Sequence, residues 1–135
     1  MPNLVQEQAI SAVEDYLERK DYTVEDIRHS KQKEPQHRGY TLVASKAGGS
    51  PITINVKGTT KMWGIPDVYV TEFDDDRRLV ADYLYVVFIL KNQSPRICAI
   101  PRDALKSDDI VEKHNYRFKG RIKKQETLER YLVTS

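Results

Sequence analysis

A chain of 135 residues is one domain by length, able to bury roughly 68% of the surface it exposes unfolded, so its core needs no disulfide or metal. Hydrophobic residues at 39% and charged residues at 31% exclude general disorder, and a net charge of +2 means that any nucleic-acid affinity must come from how the charges are grouped. The single cysteine, Cys98, excludes an internal disulfide and reads as a small buried hydrophobe within Ile97-Cys98-Ala99-Ile100, which fits a reducing compartment.

Met1 to Ile10 lacks the basic, apolar and small-residue order of a secretion signal, and the longest apolar run, Tyr83 to Leu90, is far too short to span a bilayer. A cytoplasmic protein with no membrane partner is expected. Val5, Ala9, Ala12, Val13, Tyr16 and Leu17 recur at helical spacing, so residues 3 to 20 are predicted to form an amphipathic helix with Asn3 as its N-cap. Tyr22 to Arg28 reads as a first strand, and the polar segment His29 to Arg38, which contains Pro35, as a loop.

Gly39 to Gly58 reads as a β-hairpin closed by Ala47-Gly48-Gly49-Ser50. Alternation puts Tyr40, Leu42 and Ala44 with Ile52, Ile54 and Val56 on one face, the expected buried one. Thr41, Val43, Thr53, Asn55 and Lys57 fall on the other. The register that keeps the apolar sets together brings Thr41 opposite Asn55 or Lys57, because a one-residue slip would bury Lys57.

Beyond Gly58 the pattern blurs. Trp63 to Val70 suggests a short strand or a winding connection, and Glu72-Phe73-Asp74-Asp75-Asp76 opens an expected short helix through Asp82, its acids complementing the helix dipole. Tyr83 to Leu90 is apolar on both faces, β-branched and aromatic, the pattern of a strand covered from both sides. Arg96 to Ile100 is a further strand stopped by Pro101; Ser107-Asp108-Asp109 signals a short helix to His114. From Tyr116 the even positions are Tyr116, Phe118, Gly120 and Ile122 and the odd ones Arg117, Lys119, Arg121 and Lys123, a strand-like alternation with one basic edge, extended by Lys124. Gln125 to Val133 closes the chain as a helix.

The order helix, strand, hairpin, helix, buried strand, strand, with Gly39-Tyr40-Thr41-Leu42 and Ile54-Asn55-Val56-Lys57-Gly58, resembles the restriction-endonuclease-like superfamily, the PD-(D/E)XK nucleases, over residues 1 to about 100. The resemblance implies a single α/β domain with a mixed central sheet flanked by helices. It also implies an aspartate slot at Thr41, an acid slot at Asn55 and a lysine slot at Lys57. Only the lysine matches. Those nucleases, as the resemblance implies, hydrolyse phosphodiesters with a divalent metal held by carboxylates. Thr41 and Asn55 offer neutral oxygens, which favours holding a phosphate over holding magnesium.

Three functions follow. The first is a catalytically degenerate nucleic-acid-binding or accessory protein, with no cofactor, in which Lys57, Thr41 and Asn55 contact phosphate. Lys61, Arg117, Lys119, Arg121, Lys123 and Lys124, helped by Arg28, Lys31, Lys33 and Arg38, supply affinity for DNA or another nucleic acid. The second is an active magnesium-dependent endonuclease in which the acid has migrated to Glu72, with Asp67, Asp74, Asp75, Asp76 or Glu14 as other contributors. The third is a protein-interaction subunit such as a homodimer. Without the resemblance, Lys57 reads as a solvent-facing strand lysine, and the basic stripe as an exposed face that discourages edge pairing. His29, His37 and His114 show no metal-ligand spacing.

Overall fold

A computed structural model describes residues 4–27, 40–63, 78–105 and 124–134, and the backbone of 110–112 and 116–118. The chain opens with helix α1, Leu4–Arg19, and continues through strands β1, Thr23–Asp26; β2, Leu42–Ser45; β3, Ile52–Thr59; β4, Tyr83–Phe88; and β5, Arg96–Pro101. These five form one mixed sheet in the order β1-β2-β3-β4-β5. β1, β2 and β3 run as an antiparallel meander, β4 lies parallel to β3, and β5 returns antiparallel to β4. A separate two-stranded ladder joins β6, Ile110–Glu112, to β7, Tyr116–Phe118, and helix α2 spans Gln125–Glu129. The fold is therefore α/β. No described helix is long and apolar enough to cross a membrane.

The hairpin register matches the expected one: Leu42 lies opposite Ile54 and Ala44 opposite Ile52. Its turn closes with the Gly49 amide donating to the Lys46 carbonyl at 2.9 Å, and Gly48 supplies the positive φ of 80° that this geometry requires. Leu42, Ala44, Ile54 and Val56 join Tyr85, Val87 and Ile97 in a core completed by Ala9, Ile10, Val13 and Leu17 of α1. The centre of the helix stripe is thus residues 10, 13 and 17, where Ile10 replaces the expected Ala12, which is only partly buried.

Both faces of the sheet are covered. On the face away from α1, Leu84, Val86, Phe88, Cys98 and Ile100 pack with Leu79, Ala81, Leu105 and Leu128. Trp63, held at a φ of 62°, meets Phe88 edge to face with ring centroids 5.3 Å apart. As predicted, β4 is buried on both sides, because a strand with a neighbour on each edge and a layer on each face has no solvent side.

Four expectations are corrected. Tyr40 packs on the second face and not beside Leu42, because β2 begins at Leu42 and the alternation does not extend through the bend at Thr41. The helix expected through Asp82 is absent over 78–82, where the chain makes a single bridge at Leu79 and then bends, with Leu79 and Ala81 buried between more exposed neighbours; its start at Glu72 lies outside the described residues. The helix expected from Ser107 to His114 is instead a strand at Ile110–Glu112, where β-branched Ile110 and Val111 find a ladder partner in β7. Finally, the C-terminal helix stops at Glu129. The tail then lies along the free edge of β5: the Ala99 amide donates to the Tyr131 carbonyl and the Val133 amide to the Ile97 carbonyl, both at 2.8 Å. Covering an open sheet edge in this way removes a template for pairing with other chains.

Candidate functional site

Period-two alternation fixes the polar row. Ile54 and Val56 face α1, so Thr53, Asn55, Lys57 and Thr59 face the second layer, beside Leu84, Val86 and Phe88 of β4. The β2–β3 pairing ends with Leu42 opposite Ile54, and Thr41, at the bend that precedes it, brings its hydroxyl to the Val56 amide. Asn55 and Lys57 thus share one row of β3, and the Thr41 hydroxyl meets the backbone between them, at the Val56 amide. Thr41 is 7% exposed and Asn55 1%, while Lys57 is half-buried. What alternation could not foresee is that this polar face is itself closed over.

The row sits where β2 and β3 part. The Thr41 amide still donates to the Ile54 carbonyl at 2.8 Å, but beyond Ile54 side chains take over from β2. The Thr41 hydroxyl oxygen accepts from the Val56 amide at 3.4 Å, which leaves its own proton to give elsewhere. From the first turn of α1, Gln6 donates Nε2–H to the Val56 carbonyl at 2.7 Å, and its Oε1 accepts from the Gly58 amide at 3.0 Å. The helix comes this close because position 58 is glycine. A Cβ there would stand 2.7 Å from Ala9 Cβ and 2.9 Å from the Val5 carbonyl oxygen.

Asn55 is the anomaly. Its Nδ2 is buried and has no hydrogen-bond partner, in a structure where buried donors are ordinarily satisfied. An unpartnered amide N–H attracts an oxygen with a lone pair, not a cation. Asp82, which meets the start of β3 at Thr53, is already engaged. Its Oδ2 accepts from the Thr53 amide at 2.9 Å and hydroxyl at 3.2 Å, and its Oδ1 faces Arg102 at 3.8 Å. Thr53 precedes Lys57 by four residues, about 13 Å at 3.3 Å per residue. Among the described residues no group of three His, Cys, Asp or Glu stands close enough to hold a metal. Thr41, Asn55 and Lys57 themselves contribute no carboxylate of the kind magnesium prefers.

Of the other sequence candidates, Glu72, Lys119, Arg121 and Lys123 lie outside the described residues, as do Arg28, Lys31, Lys33, Arg38, Asp67, Asp74, Asp75 and Asp76. The backbone of Arg117 pairs in β7 with Val111. Lys61 is exposed and its amide donates to Thr59 Oγ1 at 3.0 Å, whereas Lys124 is exposed at the start of α2. Glu14 stands eight residues along α1 from Gln6, about 12 Å at 1.5 Å per residue, so Gln6 is the α1 side chain that meets the fork. Sequence reasoning missed Gln6 and Asp82. The signal for Gln6 was present: positions 6, 10, 13 and 17 form one stripe, and a polar residue in an apolar stripe asks for a polar partner.

A groove of about 540 Å³ lies on the opposite side, between α1 and the β4–β5 turn, with Gln8, Ser11, Asp15, Arg19, Gln93 and Ser94 among its lining. Its charged side chains, Asp15 and Arg19, are exposed. Cys98 is buried, gives its Sγ–H to the Leu128 carbonyl at 3.4 Å, and has its thiol pKa pushed up to about 12 by burial, so it is no nucleophile. Compared with family models, curated proteins and solved structures, the chain finds no match.

Proposed function

We propose that the chain is a nucleic-acid-binding domain of restriction-endonuclease-like architecture that holds phosphate where hydrolytic relatives would hold magnesium. The element order α1, β1, the β2–β3 hairpin, β4 and β5 supports the architecture, as do the shared row of Asn55 and Lys57 and the Thr41 hydroxyl at the Val56 amide between them. The observation that carries the function is the buried, unpartnered Asn55 Nδ2 in the acid slot.

In this reading Lys57 supplies the charge and reaches the phosphate first. Behind it, the Asn55 amide and the Thr41 hydroxyl proton are the donors for an oxygen of that phosphate. Lys61, Lys124 and the 117–123 stripe add affinity without sequence preference. No hydrolytic step is assigned to Thr41, Asn55 and Lys57, whose side chains include no carboxylate to localise a metal.

The test is fluorescence anisotropy with labelled duplex and single-stranded DNA between about 50 and 200 mM salt. The logarithm of the affinity is expected to fall linearly with that of salt, and Lys57→Ala should weaken binding to all sequences alike and lower the slope by about one. No binding at the low-salt end, or an affinity indifferent to salt, overturns the proposal.

A further inference from the structure

We infer that Gln6 is a positioning residue for Lys57: its carboxamide stands in for the missing β2 strand at the two backbone groups that flank the lysine. This rests on the phosphate-binding reading above and adds to it a residue outside the sheet.

In a β-strand, the N–H and C=O of alternate residues point to the same edge. Residues 53, 55, 57 and 59 of β3 turn their backbone groups toward β4. There the Thr53 amide meets Asp82 and the Thr59 carbonyl accepts from Ile89 at 2.8 Å. Residues 54, 56 and 58 turn theirs toward β2. β2 serves Ile54, and among the described residues no strand pairs with the Val56 carbonyl and the Gly58 amide farther along this edge. These two groups bracket Lys57.

A primary carboxamide carries one donor and one acceptor side by side in a plane, the pair that a neighbouring strand would present. Gln6 uses both, at 2.7 and 3.0 Å, across a sequence separation of about fifty residues. With β4 holding Lys57 on one edge, in register with Val86, and Gln6 holding its neighbours on the other, the backbone that aims the ammonium is fixed from both sides. Gly58 admits the helix turn that brings Gln6 there.

The experiment is a double-mutant cycle on the full chain with Gln6→Met, which keeps length and apolar volume but removes both hydrogen-bonding groups, and Lys57→Ala. The duplex-DNA anisotropy assay is the readout, and circular dichroism verifies folding. A positioning role predicts that Gln6→Met lowers the salt slope by about one, as Lys57→Ala does, and that the double variant binds no more weakly than Lys57→Ala alone. An unchanged slope in Gln6→Met, or affinity losses that multiply in the double variant, overturns it and makes Gln6 a helix anchor only. If Gln6→Met does not fold, Gln6→Asn, which keeps the amide but is one methylene short of spanning both groups, is read by the same two criteria. If wild type binds but Lys57→Ala changes neither affinity nor slope, the lysine contact is wrong. If wild type does not bind at all, the nucleic-acid reading falls and this role falls with it.

Discussion

The two faces of one sheet are finished in different ways. Toward α1, β2, β3 and β4 present Leu42, Ala44, Ile54, Val56, Tyr85 and Val87 to an equally apolar helix stripe. The opposite face is divided. Its β4–β5 half is as apolar as the first face, but its β2–β3 half presents Thr41, Thr53, Asn55 and Lys57. Asn55 is as buried as Ile54 beside it, yet burial stabilises the isoleucine and costs the asparagine the hydration of an N–H that finds no partner. Burial alone therefore does not distinguish a packing residue from a residue retained for something else. Departure from the rule that buried donors are satisfied does, and such departures collect at functional sites.

If the apolar half of the divided face is true core, its truncations should match those on the α1 face. Phe88→Ala is expected to cost about 3–5 kcal/mol, since it removes a fully buried ring and the edge-to-face contact with Trp63. Leu17→Ala on the α1 face should fall in the range of about 2–5 kcal/mol. Urea denaturation followed by circular dichroism measures both. A Phe88→Ala cost below about 1 kcal/mol would mean that the second face is not a packed layer.

That divided face also marks what the sequence could and could not reveal. Strong periodicity was legible: α1, the hairpin register and the doubly buried β4 all followed from spacing, because each residue's face is set by local geometry. Elements whose state depends on a distant partner were not. Ile110 and Val111 carry β-branched side chains behind a helix-start signal, and only the ladder with β7 decides between the two. Leu132 completes a helical pattern on paper, but the unpaired edge of β5 draws its segment into an extended course. At the site, alternation put Asn55 and Lys57 on one row but left that face to solvent, whereas Asn55 is buried. Strand alternation could not point to Gln6, whose signal lay in the helix stripe and whose partners, the Val56 carbonyl and the Gly58 amide, only the fold reveals.

The thiol of Cys98 tests the seal over the apolar half. Burial pushes its pKa up to about 12, so above the ordinary thiol range the unfolded chain loses a proton that the folded chain keeps. The unfolded state then binds fewer protons, and the sign follows: stability is fully present below that range and falls as pH rises, by about 1.4 kcal/mol for each unit above it. Urea midpoints between pH 8.5 and 10, below the main tyrosine titration, should decline in wild type and flatten in Cys98→Ala. Equal slopes in the two proteins would mean that the thiolate forms without unfolding and that the tail and α2 do not close this half.

The polar half makes the smallest and most telling difference. Asn55→Leu replaces an amide by a side chain of similar length and removes the unpartnered donor instead of adding one, so the folded state loses a desolvation cost and gains apolar contact. Removing both the donor and its need for a partner is close to neutral or stabilising, within about 1 kcal/mol. The same change deletes the group proposed to hold an oxygen behind Lys57, so binding to duplex DNA should weaken while the urea midpoint stays or rises. Stability and binding moving in opposite directions is what a site retained at the expense of packing requires. A loss of more than about 2 kcal/mol would show instead that the amide is satisfied in the folded protein and belongs to the core. The polar half would then be a differently built core, with no claim to a ligand.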